Sequence, residues 1–300
     1  MLEHLNLPES TQTQRLFHGR GHAYAGFEHI CIDWFAPVIL ITAYKAIEAD
    51  LLAQLVTFFS QPNDFVKSIQ YQQRYLPQAP VSVIWGDEIS ELQLNENGLK
   101  YHATLGRSQN HGLFLDMALG RAWVREQSQN KAVLNLFAYT CGFSIAAHAG
   151  GARKIVNLDM SKAALKRGRD NHLLNQQDPS IVQFEAVDLF KSFGRVRKHG
   201  PYDLVICDPP AFQKGSVNIE RDYKKIIRRL PEFCQDQALV MLCLNSPDLD
   251  QQFLSDTVAE YCPQCQFIEN IPAPDIFKEA MAGKGLKIQV YRFNAIKTSN

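Results

Sequence analysis

The sequence predicts a doubly wound α/β sheet that ends in an antiparallel hairpin and follows a small α+β domain. Three observations carry that expectation. From Lys131 onward, short apolar runs alternate with helical stretches, the pattern of βαβ units around a parallel sheet. The last two runs, Phe267–Ile271 and Leu286–Phe293, are joined by a loop with Pro272, Pro274 and Gly283. Without a crossover helix between them, they are expected to pair antiparallel at the sheet edge. Residues 1–110 instead hold mostly strand-like runs, and the second domain is expected over 111–300.

In the first domain, His29–Phe35 and Val38–Tyr44 read as strands. Ala46–Phe59 carries Leu51, Leu52, Leu55, Val56 and Phe59 at helical spacing. Val81–Trp85 and Leu99–Ala103 are further strand candidates, and Asn95–Gly98 is turn chemistry leading into the second of these. In the second domain, strands are expected at Val133–Phe137, Lys154–Leu158, Val182–Ala186, Tyr202–Cys207 and Ala238–Leu244. Helices are expected to begin near Phe143, Ser161, Leu189 and Asp222. Ser161 suits an N-cap for a helix with Ala164, Leu165 and Gly168 on one face.

Basic and acidic side chains balance at 31 each, so any nucleic-acid contact must come from a local patch. Met1–Glu9 lacks the basic and apolar regions of an export signal. Trp34–Tyr44, the longest largely apolar run, is too short to span a bilayer as a helix. A cytoplasmic protein with seven reduced cysteines and no membrane contact is expected. Cys262 and Cys265 form a lone CxxC pair, whereas a zinc site needs about four ligands. No metal is expected.

Ligands of open α/β sheets bind beyond the carboxyl ends of the strands. Four such ends carry distinctive residues. The first leads through Asn135, Phe137, Ala138 and Tyr139 to Gly142, a small-residue turn without the GxGxxG of a pyrophosphate site. The second ends at Asp159 and Met160, an acid suited to ribose hydroxyls. The third reaches Asp188, an acceptor for an adenine amine, with Leu189 and Phe190 placed to pack on the ring. The fourth is Asp208, Pro209, Pro210, Ala211 and Phe212. There a carboxylate and rigid prolines without N–H groups offer acceptors beside an aromatic platform. The set matches an adenosine-containing cofactor without a pyrophosphate, and S-adenosylmethionine fits that description.

The segments Asn135–Phe143, Gly150–Ala152, Asp159–Ser161, Asn171–Asn175 and Asp208–Phe212 resemble the class I methyltransferases that modify bacterial large-subunit ribosomal RNA. The relatives in view act on cytosine C5 or guanine N7. The resemblance implies a Rossmann-like methyltransferase sheet with S-adenosylmethionine as cofactor, S-adenosylhomocysteine as product and ribosomal RNA as partner. It places cofactor contacts on Phe114, Asn135, Phe137, Ala138, Tyr139, Gly142, Asp159, Met160, Asp188 and Asp208. Gly112–Asp116 is similar to the segment that packs over the cofactor, and Phe17–Asp33 faintly to a small β-rich domain that precedes the catalytic one. The family commonly has two glycines where this chain has Cys141 and Gly142. A cysteine held at positive φ would be strained, unless that position is conformationally ordinary here.

Relatives that act on cytosine C5 carry a cysteine near Asn245, because C5 is a poor nucleophile until a thiolate adds to C6. Cys243 lies two residues earlier, about 6–7 Å back along a strand. Transfer to a ring or exocyclic nitrogen is therefore favoured. Asp208, Pro209 and Pro210 would orient the base and Phe212 would stack it. Lys191–Lys198 and Arg221–Arg229 are basic stretches for RNA contact, the second following the base pocket more closely. A cytosine-C5 enzyme, a methyltransferase for a protein or small molecule, a nicotinamide oxidoreductase and a non-catalytic module are alternatives. An oligomer would pair through the edge hairpin or the amino-terminal β region.

Overall fold

The structure, a computed structural model, describes residues 1–107, 109–210, 212–213 and 217–296; of Phe212, Gln213 and Val217 it describes the backbone. It divides into two units. The first comprises Met1–Asp116 and Pro274–Ala282, so a piece of the loop between the last two strands belongs to it.

The first unit is built on a five-stranded sheet of β1 (Gln14–His18), β2 (Ile30–Phe35), β3 (Val38–Ala43), β4 (Ser68–Gln73) and β5 (Val81–Gly86), in sequence order. Only β3 and β4 run parallel, and α1 (Ala49–Phe59) makes the crossover between them. Leu55 and Phe59 of α1 join Ile30, Trp34, Ile39 and Ile69 in one core. The remaining pair, β6 (Glu91–Glu96) and β7 (Leu99–Thr104), is a hairpin. Its two-residue turn, Asn97-Gly98, has both φ angles positive, 52° and 79°, the geometry that matches strand twist and that Asn-Gly favours.

The second unit opens with α2 (Ala118–Gln127) and then alternates strand and helix: β8 (Ala132–Leu136), α3 (Gly142–Ala149), β9 (Lys154–Asp159), α4 (Lys162–Leu174), β10 (Val182–Ala186), α5 (Phe193–His199) and β11 (Tyr202–Cys207). A two-residue pair, β12 (Phe212–Gln213) and β13 (Val217–Asn218), precedes α6 (Ile219–Ile227). The chain finishes with β14 (Cys234–Leu244), α7 (Gln251–Tyr261), β15 (Cys265–Ile271) and β16 (Lys287–Phe293). The seven-stranded sheet has the order β10-β9-β8-β11-β14-β16-β15. β16 is antiparallel to both its neighbours, so the hairpin expected from sequence forms with β16 inserted beside β14.

Alternation along the strands divides the core into two layers. Leu134, Leu136, Val205, Cys207 and Leu242 face one side, with Tyr223 and Ile227 of α6. Val133, Leu204, Ile206, Met241 and Cys243 face the other, with Phe143 of α3 and Val124 of α2. A period of two sends successive side chains to opposite faces, and both faces are covered, as parallel sheets require. No helix among the described residues is long and apolar enough to cross a membrane.

One polar chain crosses the second layer. Asn135 Nδ2 donates to Asn157 Oδ1 (2.9 Å), Asn157 Nδ2 donates to Ser144 Oγ (2.9 Å), and Ser144 Oγ lies 2.8 Å from His172 Nε2. All four side chains are buried. Burial, aided by His148, lowers the His172 pKa to about 4. The unfolded chain then binds a proton that the folded one refuses. The stability His172 contributes is present above pH 6.5 and is lost as pH falls toward 4. Urea unfolding should show the wild type losing about 2 kcal/mol more than His172→Gln between pH 7.5 and 5. Equal losses would contradict the assignment.

Candidate active site at the strand tips

Register places the carboxyl ends of four strands side by side. Leu136 at the end of β8 pairs with Leu158 of β9 on one side and Cys207 of β11 on the other, and Asp159 pairs with Ala186 at the end of β10. Asp159 ends β9, Asp208 immediately follows β11, and Asp188 lies two residues beyond β10. Neighbouring strands are about 4.8 Å apart, so the three carboxylates arise along one edge of the sheet. The strand order reverses at β8, between β9 and β11, which is where such sheets open a crevice.

The segment that leaves β8 is bent. Phe137, Tyr139 and Cys141 have φ of 58°, 47° and 65°. Left-handed conformations of non-glycine residues cost on the order of 1 kcal/mol or more each. Three hydrogen bonds hold them: Ala138 N–H to Leu158 O (3.0 Å), Tyr139 N–H to Asp159 Oδ2 (2.8 Å) and Cys141 N–H to Ala138 O (2.7 Å). Cys141 therefore takes the strained conformation and not the ordinary one. Its side chain is buried against Ala138 and Leu165. Room for it comes from Gly168 on α4, where a Cβ would stand 2.4 Å from the Cys141 sulfur. Burial and the nearby Asp159 push the thiol pKa far up, which keeps it protonated.

Asp159 is the junction of two loops. One oxygen accepts from Tyr139 N–H and the other from Ser161 N–H (2.7 Å). Each carboxylate oxygen retains a second acceptor site. Ser161 caps α4 through Ala164 N–H, as expected from sequence. Asp188 caps the turn Leu189–Lys191 through Phe190 N–H (3.0 Å) and lies 3.5 Å from Lys191. Asp208 is half-buried, Pro209 buried and Pro210 exposed. Beneath them, the hydroxyl of Tyr223 donates to Cys207 O (3.2 Å) and Cys243 O (2.8 Å), tying the ends of β11 and β14 to α6.

The other sequence candidates distribute as follows. Ala138 is buried, Phe137, Tyr139 and Gly142 are half-buried, and Met160 is 49% exposed beside Asp159. Asn135 is buried in β8 and donates to Asn157. Leu189 belongs to the core under α6. Phe114 lies in the first unit, exposed. Ala211 and the Phe212 side chain lie outside the described residues. Sequence reasoning missed Asn157, Ser144, His172 and Tyr223. A polar residue inside an apolar strand, Asn157, was the one available signal. A cavity of about 480 Å³ lies along β10, lined by Arg169, His172, Phe184, Glu185 and His199, and includes none of the three tip carboxylates.

The fold and these tips define a Rossmann-like methyltransferase. A family model for S-adenosylmethionine-dependent methyltransferases matches residues 14–292, and the chain belongs to that family. A ribosomal RNA large subunit methyltransferase I from Erwinia tasmaniensis is 28% identical over 95% of this chain and 76% of its own. One from Salmonella paratyphi B is 31% identical over 66% of this chain and 53% of its own. A chain crystallised in complex with S-adenosylhomocysteine has the same fold, with TM-score 0.84, 24% identity and coverage of 95% and 76%. A methyltransferase from Agrobacterium tumefaciens follows, with TM-score 0.69, 15% identity and coverage of 88% and 87%.

The residues present fit the cofactor. Asp159 keeps acceptor capacity for hydroxyls, the Met160 thioether is exposed next to it, and no glycine-rich phosphate cradle occupies residues 137–142.

The packing of Cys141 against α4 yields a test. Gly168→Ala should lower stability by about 1–3 kcal/mol, because the new methyl meets a fixed sulfur. In a Cys141→Gly background that penalty should largely vanish. A full penalty in both backgrounds, measured by a double-mutant cycle, would contradict the contact.

Proposed function

We propose that the chain transfers a methyl group from S-adenosylmethionine to a ring or exocyclic nitrogen of a nucleobase in large-subunit ribosomal RNA. The RNA class is supported by the relatives that bear that name over most of this chain. The nitrogen is supported by one observation: all seven cysteines are buried. Cys243, the one closest in sequence to the tip of β14, packs in the apolar layer with Met241 and Ile288. Addition of a thiolate to C6 of cytosine needs an accessible, ionisable sulfur.

When bound, S-adenosylmethionine supplies an electrophilic methyl group on a sulfonium. Asp159 and Asp188 would hold its ribose and adenine, with Met160 and the Phe137–Gly142 backbone as walls. Asp208 and the carbonyls of Pro209 and Pro210 accept hydrogen bonds from the base. An acceptor that takes a hydrogen bond from an amino group fixes the base plane and leaves the nitrogen lone pair facing the methyl group; the proton the methylated amino nitrogen then gives up would pass to the Asp208 carboxylate or to solvent. Orientation and exclusion of water then carry most of the rate. A base inside a helix must first be turned out of the stack. Tyr223 acts as a positioning residue, because it fixes the strand end from which Asp208 projects.

Nucleoside mass spectrometry after incubation with unmodified ribosomal RNA, protein extract and small-molecule extract tests the reading. The expected result is a methylated nitrogen in RNA alone, retained by Cys243→Ser. A 5-methylcytosine product that disappears in Cys243→Ser would overturn the nitrogen assignment. Methyl uptake by protein or a small molecule would overturn the substrate. Tyr223→Phe should lower kcat by about tenfold, with S-adenosylhomocysteine affinity nearly unchanged. An unaltered kcat would remove Tyr223 from the positioning role.

A further inference from the structure

Several surface cations of the second unit face acids. Lys191 pairs with Asp188, Arg195 with Glu185, Arg197 with Glu232, Arg229 with Glu232, and Arg221 and Lys225 with Asp222. Those pairs include most of the two basic stretches singled out from sequence. The first unit carries a group of a different kind. The guanidinium of Arg20 lies 4.1 Å from the centre of the Tyr44 ring, and that of Arg74 lies 5.3 Å from the same centre. Arg74 also donates to the Tyr44 hydroxyl (3.4 Å) and to Gln109 Oε1 (3.2 Å). Among the described residues neither arginine forms an ion pair, and exposed Lys45, next to Tyr44, forms none either.

The group is held in place before any ligand arrives. Arg20 sits in a single 3₁₀ turn between Gly19 and Gly21. A Cβ on Gly19 would lie 1.9 Å from Phe27 O, and one on Gly21 1.9 Å from Lys278 O, so the backbone is pinched on both sides of the arginine. Arg74 is anchored by its own N–H to Ala43 O (2.8 Å), next to Tyr44. Burial, then Arg15 and Arg20, lower the pKa of His18; burial lowers that of His111, where Arg74 acts against Asp33. Both imidazoles stay neutral and leave the charge to the guanidiniums.

We propose that Arg20, Tyr44 and Arg74 form a clamp for the phosphate backbone of the RNA substrate on the amino-terminal unit. The proposal rests on the reading of RNA as substrate. Guanidiniums match phosphate oxygens with two parallel N–H donors. Two of them on one tyrosine ring, without a carboxylate to satisfy, are presented at low ordering cost. The contact is to backbone and not to base edges, so it sets where RNA lies and not which base is modified.

The test is equilibrium binding of unmodified large-subunit ribosomal RNA between 50 and 300 mM KCl, comparing wild type with Arg20→Gln/Arg74→Gln. The double variant should bind about tenfold more weakly and lose about 1–2 from the slope of log K against log salt. Its melting temperature and S-adenosylhomocysteine affinity should match wild type, and Arg20→Lys/Arg74→Lys should recover part of the RNA affinity. Unchanged RNA affinity and slope in an enzyme that still methylates RNA would overturn the clamp and leave the substrate reading standing. Loss of binding to ribosomal particles but not to naked RNA would overturn it in favour of a protein contact. A wild type that binds S-adenosylhomocysteine yet neither binds nor methylates RNA would overturn clamp and substrate reading together.

Discussion

The hydrogen bond from Tyr139 N–H to the Asp159 carboxylate is the constraint on which the rest of the site depends. It joins the loop that leaves β8 to the end of β9 and fixes both against one edge of the sheet. Without it, the left-handed run at Phe137, Tyr139 and Cys141 would lose one of the three hydrogen bonds that hold it. The carboxylate is then doubly engaged: it accepts from Tyr139 N–H and Ser161 N–H and keeps further acceptor sites. One side chain thus links the geometry of the fold to its chemistry.

Two buried devices support that junction. Gly168 gives Cys141 its space, so α4 packs directly on the bent loop. The polar chain from Asn135 through Asn157 and Ser144 to His172 ties β8, β9, α3 and α4 together where an apolar layer alone would permit sliding. On the other side of the sheet, Tyr223 does the same for β11 and β14. The strand ends that carry Asp159 and Asp208 are therefore also fixed by buried contacts behind them.

The central parallel strands of the second unit were legible because buried strands are nearly continuous apolar runs, and Tyr202–Cys207 falls where the pattern put it; the edge strand Val182–Ala186 does too, although Gln183 and Glu185 interrupt its apolar residues. β4, Ser68–Gln73, escaped because its buried Gln70 and Gln72 read as polar, and β1 because Gln14 and Arg15 do. α2 and α7 were not anticipated: each buries only three residues, Gly120, Arg121 and Val124 in α2 and Leu254, Thr257 and Val258 in α7, too few and too mixed to show as an apolar stripe. The acids at the tips were visible, since strand ends can be counted. The left-handed state of Cys141 was not, because the residue that permits it, Gly168, is 27 positions away and on another element. Nor does sequence show that Pro274–Ala282 belongs to the first unit, where Ala280 N–H reaches Gly21 O (2.7 Å). That docking is a tertiary choice with no local signature.

A crystal structure with S-adenosylhomocysteine tests the central claim most directly. The account predicts density at the tips of β8, β9, β10 and β11, with ligand hydroxyls within hydrogen-bond reach of Asp159. Density in the cavity along β10, among Arg169, Phe184 and His199, with the tips vacant, would contradict it.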